Sequence, residues 1–426
     1  MSSLSMNRRD FARLFTLGGS AALLGHPVIR ELAAAPARPL FRASGAPDWE
    51  AVRGEFLMPR ELAVMNAANL CPSSRRVLKA LQSHTETLDR NPVPSVRDSM
   101  LGVKEWVREE VAEYLRVSPD EILLTRNTSE ANNWVSAGLD LGPGDEVVIL
   151  ADNHPSNNLA WKARGERFGF QVREVADMNP HPGPEAYLEA FRRAITPATR
   201  VVAFSHLTNT VGDLLPAEEL CRMAREREVL TLVDGAQSFG LMDVDLSSLG
   251  ADFYTGSAHK WPCGPKETGI LFASRRVHDR FWPTLYSAYP GGVGLSRSHE
   301  GMGQRDEPAL QAFGEAIRFL KEIGPGEIEA RSRALTDAAV EGLQAIDGVH
   351  VWTSPHPDRR VAVVSFQPGS LEPRRVLAAL EEDGVAAASR GGTDRPGIRF
   401  SPHFYNDFQD VERGVEAIRR YMGTGL

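Results

Sequence analysis

Cysteine is scarce in this chain. Cys71, Cys221 and Cys263 are the three among 426 residues, and their spacing suggests no disulfide framework. No CxxC, HExxH or other metal-ligand spacing occurs, and the histidines of His181-Pro182 and His356-Pro357 sit in proline-rich loops, so no metal is expected. A basic excess is also lacking: the net charge is -8, which leaves no electrostatic footprint for nucleic acid. Beyond the first thirty or so residues no apolar run is long enough to span a bilayer. Gly291-Gly292-Val293-Gly294 is no dinucleotide fingerprint, because no strand and helix flank it. There is no internal repeat or low-complexity block. What remains is the profile of a soluble enzyme, 42% hydrophobic and long enough to bury a large core, in two domains.

The residues that carry chemistry cluster between Thr231 and Lys260. Val229 to Val233 reads as a buried parallel strand ending at Asp234, with Gln237 three residues on. Phe253 to Thr255 reads as a second strand running into Ser257-Ala258-His259-Lys260. Ligands of open α/β sheets bind at such strand ends. Pyridoxal 5'-phosphate needs a lysine to hold its aldehyde as a Schiff base and an acidic partner for its pyridine nitrogen. Lys260 and Asp234 are the candidates, Gln237 can reach the ring hydroxyl, and Ser257 and His259 flank the lysine where they can bond the phosphate. Taken singly, Asp234 reads as a helix cap and Lys260 as solvated surface. The ordered set outweighs both readings.

Further strand-to-turn junctions follow the same plan. Glu121 to Leu124 leads through Thr125-Arg126-Asn127-Thr128-Ser129-Glu130 into a helix over Ala131 to Gly138. Free backbone N–H groups at a helix start, with hydroxyls beside them, cradle phosphate, although an ordinary N-cap has the same composition. Glu146 to Leu150 ends in Asp152-Asn153-His154-Pro155-Ser156-Asn157, with Trp161 seven residues past the histidine. Arg200 to Ser205 leads to Thr208-Asn209-Thr210-Val211-Gly212.

The order Asp-x-x-Gln, Ser-x-His-Lys-Trp (257–261) and Gly-Pro-Lys-x-Thr-Gly (264–269) resembles the class V aminotransferase family, nearest to its isopenicillin N epimerase-like branch and more distantly to the cysteine desulfurases. The resemblance spans Glu61 to Tyr421. It implies that Thr128 and Ser129 contact phosphate, that His154 stacks on the cofactor ring, and that Asn209 joins Gln237 at the ring hydroxyl. Ile398 to Asn406 is similar to the family's Arg-x-Ser-Pro-His-x-Tyr-Asn stretch, which makes Arg399 the clamp for a substrate carboxylate, with Asn69 a further substrate contact. A planar guanidinium suits that bidentate task. Gly301 to Asp306 resembles a segment that reaches the phosphate of a neighbouring subunit, so a homodimer is expected, with Gln304 standing where the family has threonine. A second departure concerns sulfur chemistry. Desulfurases place a cysteine on the loop before the arginine, and Ala386 to Pro396 holds none. Arg390, conspicuous there, either reads a second acidic group on the substrate or caps a loop.

At the N-terminus, Met6-Asn7-Arg8-Arg9-Asp10-Phe11 precedes the apolar run Leu14 to Gly25 and then Ala33-Ala34-Ala35. That order predicts a signal peptide over 1–35, and the paired arginines point to the twin-arginine machinery and the bacterial periplasm. A chance basic, Ala-rich leader is the alternative. Export of a folded chain would let the cofactor be loaded first.

The expected fold is α/β: the pyridoxal phosphate-dependent transferase (aspartate aminotransferase-like) fold, a mainly parallel sheet wrapped by helices plus a smaller α+β domain. The large domain is expected over 75–315, and the small one over 45–74 and 316–426, with strand Val361 to Phe366 and helices over Arg331 to Ile346, Glu372 to Asp383 and Asp410 to Tyr421. The expected activity is transamination, lyase or epimerase chemistry on an amino acid or amino-acid-derived metabolite. The alternative is a non-catalytic small-molecule-binding protein that retains the fold.

Overall fold

The computed structural model describes residues 39–178, 182–390 and 395–426, with backbone alone at Arg390. The expected leader, His181 and the Arg390 side chain lie outside the described residues. Residues 40–426 form one compact unit.

Seven strands make the main sheet: β1 (Ile122–Thr125), β2 (Glu146–Leu150), β3 (Gln171–Val175), β4 (Thr199–Ser205), β5 (Leu230–Asp234), β6 (Phe253–Ser257) and β7 (Gly269–Ala273). Their order is β1-β7-β6-β5-β4-β2-β3. Only β7 runs against its neighbours, β1 and β6. The interior strands are near-continuous apolar runs because both faces are covered. Val148 and Leu150 of β2 join one core, with Phe204, Val233 and Tyr254; Val147 and Ile149 join the other, with Val201, Leu232 and Phe253. Alternation along each strand therefore fills two helix-covered layers. The parallel strands, and β1 with them, end at one edge, so the turns after β1, β2, β4, β5 and β6 converge there.

Four antiparallel strands form a second sheet: β8 (Val349–Val351), β9 (Val364–Pro368), β10 (Ala388–Arg390) and β11 (Gly397–Phe400), in the order β10-β11-β9-β8. Its own core contains Leu335, Val364, Phe366, Ile398, Phe400 and Ile418. Ala63–Val64 pairs in parallel with Val385–Ala386, which draws the early segment into this lobe. The strand expected from Val361 begins only at Val364. Ala362 has φ 53° and the Val363 N–H bonds the Val361 carbonyl at 2.7 Å, a tight turn that breaks the extended run although all three residues are buried. The helix expected from Arg331 begins earlier, at Pro325, where a proline fits the first turn. Among the described residues no helix is long and apolar enough to cross a membrane.

Candidate active site

Every residue of the expected set except Gln304 and Arg390 lines one cavity of about 280 Å³ at the converging strand ends. Ala68, Asn127, Ser156 and Ala236 line it too and were not anticipated. A larger groove of about 710 Å³ lies among Arg200, Arg227, Arg276 and Arg280. It sits by the start of β4, away from the edge where the turns meet.

At one end of the cavity, β1 passes through a two-residue turn into the helix Thr128–Gly138, capped by Asn127 Oδ1, which accepts the Glu130 N–H at 2.9 Å. Ser257, at the end of β6, crosses to this turn: its Oγ accepts the Thr128 N–H at 2.8 Å and donates to Thr128 Oγ1 at 2.9 Å. Hydroxyls and first-turn N–H groups thus meet where an anion is favoured. Gly269 permits the approach, since a Cβ there would lie 2.6 Å from the Gly256 carbonyl and 2.9 Å from Asn127 Cα. Beneath, Arg108 makes a buried two-pronged ion pair with Glu300, whose Oε1 also accepts the Leu124 N–H at 2.6 Å. This fixes the end of β1.

Asp234, 2% exposed, closes β5. Its Oδ1 accepts the Ala236 N–H at 3.0 Å, and its Oδ2 accepts amide N–H groups from Asn132 at 2.8 Å and Asn157 at 3.4 Å. Gln237 is fixed at both ends of its amide, donating to the Ala68 carbonyl at 3.1 Å and accepting from Trp261 Nε1 at 2.9 Å. Its second N–H remains for the cavity. Asn132 was missed by sequence reasoning, and Asn157 was noticed only as part of a pattern. A signal for Asn132 existed: it lies one helical turn past Thr128, on the same face.

Lys260 follows β6 directly. Desolvation pulls its pKa down to about 8, against the pull of Asp234 and helped by Arg399. A neutral amine is therefore accessible near neutral pH. His154 caps the helix Pro155–Phe168, its Nδ1 accepting the Ser156 N–H at 3.2 Å. Desolvation, then the Lys260 charge, lowers its pKa, so the ring is held neutral. Desolvation drives His259 to about 4, which leaves a neutral imidazole beside the lysine. The His154 turn is tied to β4 through Asn153, whose Oδ1 accepts the Ser205 N–H at 2.7 Å.

The other wall comes from the second sheet. Arg399 on β11 is 9% exposed and donates from Nη1 to the Asn209 carbonyl at 2.7 Å. Asn69 sits exposed at the rim, its N–H bonded to the Asn66 carbonyl. Gln304 is exposed and does not line the cavity of its own chain. Its neighbour Arg305 anchors that segment to the carbonyls of Leu124 and Thr125.

Folding also gathers side chains that are distant in sequence. Cys71, Cys263 and His403, all buried, bring one ligand-type atom each within 4.8 Å of one another. Each has a protein partner: the thiols donate to the carbonyls of Ala67 and Trp261, and His403 Nε2 lies 2.7 Å from the Trp261 carbonyl, which can only accept. With Nε2–H and both S–H groups so engaged, the trio is a packing cluster behind Lys260.

The donor set fits pyridoxal phosphate: hydroxyls and N–H groups at a helix start for the phosphate, a carboxylate deep in the cavity for the ring nitrogen, and an amine with a lowered pKa for the aldehyde. The comparisons agree. The family model for aminotransferase class-V matches residues 71–413. Isopenicillin N epimerase of Streptomyces clavuligerus is 30% identical over 395 residues, covering 88% of this chain and 99% of that protein. The apo cysteine desulfurase of Thermococcus onnurineus NA1 is similar in structure with a TM-score of 0.80 at 25% identity, covering 88% of this chain and 98% of that one. A C-DES structure with glycine covalently linked to its PLP cofactor shares the fold at a TM-score of 0.79 and 23% identity, covering 86% of this chain and 98% of that one. The chain belongs to the class-V aminotransferase family of pyridoxal phosphate-dependent enzymes.

Proposed function

We propose that the protein is an exported, dimeric enzyme acting at the amino-bearing carbon of an amino acid or an amino-acid-derived metabolite. One observation carries this reading: Lys260 from the parallel sheet and Arg399 from the antiparallel sheet line the same small cavity. A nucleophilic amine and a carboxylate-binding guanidinium are what a free amino acid requires at its two ends. When bound, the cofactor supplies an electron sink for charge developing at that carbon. The chain's own residues do the rest. Lys260, with its pKa near 8, can take up and return a proton as base and acid. With the cofactor bound, Asp234 would hold its ring nitrogen, Gln237 and Asn209 would address its ring hydroxyl, and the neutral His154 imidazole would stack on its ring. Arg399, a cavity-lining guanidinium, is the group suited to a substrate carboxylate.

The reaction belongs among transamination, elimination, C–S lysis and epimerisation. Persulfide transfer from the segment before Arg399 is set aside, because 386–396 carries no cysteine and all three thiols are buried elsewhere. Arg390 is proposed as the reader of a second acidic group, and Gln304 as a contact to a partner copy's phosphate site.

The test is the visible spectrum of the purified protein before and after borohydride, beside Lys260→Ala. Expected is a yellow band that borohydride bleaches in the wild type, with the reduced adduct on the peptide of Lys260 and none in the variant. Amino acids would then be screened for a keto acid, ammonia or an inverted product. A protein that stays colourless with added pyridoxal phosphate sinks the enzymatic reading. Export by the twin-arginine route is tested by N-terminal sequencing of the secreted form, with a new terminus expected near Ala35, and the dimer by sedimentation.

A further inference from the structure

We infer that Asn132 and Asn157 are positioning residues for the reaction: together they grip one oxygen of Asp234 and aim its remaining acceptor site into the cavity. The inference rests on the reading of Asp234 as the partner of the cofactor's ring nitrogen. Asn132 projects from the helix Thr128–Gly138 and Asn157 from the helix Pro155–Phe168, which flank the end of β5. All three side chains are buried, with Asn132 and Asn157 at 0% exposure and Asp234 at 2%.

Each amide is oriented by a partner that has only one role, donor or acceptor. Asn157 Oδ1 accepts from Trp161 Nε1 at 3.0 Å, and an indole N–H can only donate. Its Nδ2 must therefore face the carboxylate. For Asn132 the carboxylate itself decides, since Asp234 Oδ2 can only accept: Nδ2 faces it at 2.8 Å and Oδ1 is left to take the Thr255 hydroxyl at 3.1 Å. The result is a relay from the walls inward: Thr255 to Asn132 to Asp234, and Trp161 to Asn157 to Asp234. An ionised carboxylate offers about four acceptor sites. Two on Oδ2 are filled by the amides and one on Oδ1 by the Ala236 N–H. The fourth is left for a donor in the cavity that Asp234 lines. A carboxylate held by three donors has no freedom to swing, so it meets the ring nitrogen already oriented. The ionisable groups that feel Asp234 are Lys260 and His154 from the cavity side and the buried Tyr254 hydroxyl from behind, with Arg399 beyond Lys260.

Asn132, which the sequence reading missed, and Asn157, which it met only as part of a pattern, are thus the residues that join the strand ends. Asn157 and Trp161 stand at i and i+4 on one helix, the spacing that lets the indole N–H reach the amide.

The experiment compares wild type with Asn132→Ala and Asn157→Ala, each checked for folding by circular dichroism. Two readouts are taken besides turnover: the dissociation constant for pyridoxal phosphate, by absorbance titration of the apo protein, and the pH midpoint of the bound cofactor's visible band. Loss of one buried amide donor is expected to weaken cofactor binding about tenfold, since about 1.4 kcal/mol is a factor of ten, and to shift the pH midpoint. kcat should fall while KM for the amino acid changes little. The conservative Asn157→Gln should recover part of the loss. If Asn132→Ala fails to fold, Asn157→Ala and its Gln counterpart decide. Folded variants that bind the cofactor with wild-type affinity and an unmoved pH midpoint would overturn the inference. A wild-type protein that never acquires the visible band would instead overturn the assignment of Asp234 to the cofactor, so the two failures are told apart.

Discussion

The cavity has two walls of different construction. On the side of the seven-stranded sheet Asp234 is held by three N–H donors, Gln237 at both ends of its amide, and Ser257 and Thr128 by each other. On the side of the four-stranded sheet, Arg399 reaches across to the Asn209 carbonyl, and Asn69 lies exposed at the rim. The first wall suits a group that stays through every turnover, because buried and mutually satisfied donors cost little to keep in place. The second suits a ligand that comes and goes. Substrate choice should therefore be altered from the Arg399 wall with the cofactor wall left intact.

The largest test of that division is Arg399→Ala. Removing a charge-assisted pair costs about 1.5–3 kcal/mol, so KM for the amino acid should rise roughly tenfold to a hundredfold while cofactor affinity, measured by titration, stays at its wild-type value. A parallel loss of cofactor affinity would show that the walls do not act separately.

The cofactor wall makes its own prediction through pH. Desolvation lowers Lys260 to about 8, so the amine is charged below that pH and neutral above it. Only the neutral form attacks an aldehyde. The rate at which apo protein captures pyridoxal phosphate, followed by stopped-flow absorbance, should climb about tenfold per pH unit and level off near pH 8. A climb that continues to pH 10 would mean that Lys260 titrates as an ordinary lysine.

A third test concerns the seam between the walls. His403 Nε2 donates to the carbonyl of Trp261, beside Lys260, while Nδ1 lies 3.4 Å from Ser332 Oγ. Desolvation pushes its pKa down to about 3 from 6.5, and that of buried His206 to about 4. As pH falls below 6.5 the unfolded chain binds protons that the folded chain refuses, so stability is lost on acidification. The slope should be about 1.4 kcal/mol per pH unit for each such histidine until the folded pKa is reached. Melting temperatures between pH 7 and 4.5 measure it, and His403→Gln should flatten the decline. An unchanged slope in the variant would remove His403 from this role.

How much was legible beforehand follows from where each signal lies. The strands ending at Asp234 and before Lys260 are short apolar runs that stop at polar turns, a pattern carried by neighbouring residues. So the α/β class, the mainly parallel sheet and the pyridoxal phosphate chemistry could be read from local stretches. The strand over Val361 to Val363 was misplaced, because a buried apolar triplet looks extended until a positive φ at Ala362 turns it.

The sequence by itself determined which residue types stand at the strand ends, since hydrophobic periodicity and turn chemistry act over a few residues. Only the tertiary structure decided what those residues touch. Asn132 meets Asp234 across 102 positions, Asn157 across 77, and Arg399 meets the Asn209 carbonyl across 190. No single stretch of sequence names both partners of such a contact. They exist because a parallel sheet carries the ends of distant segments to one edge, and because burial there obliges each polar group to find a partner wherever the chain supplies one.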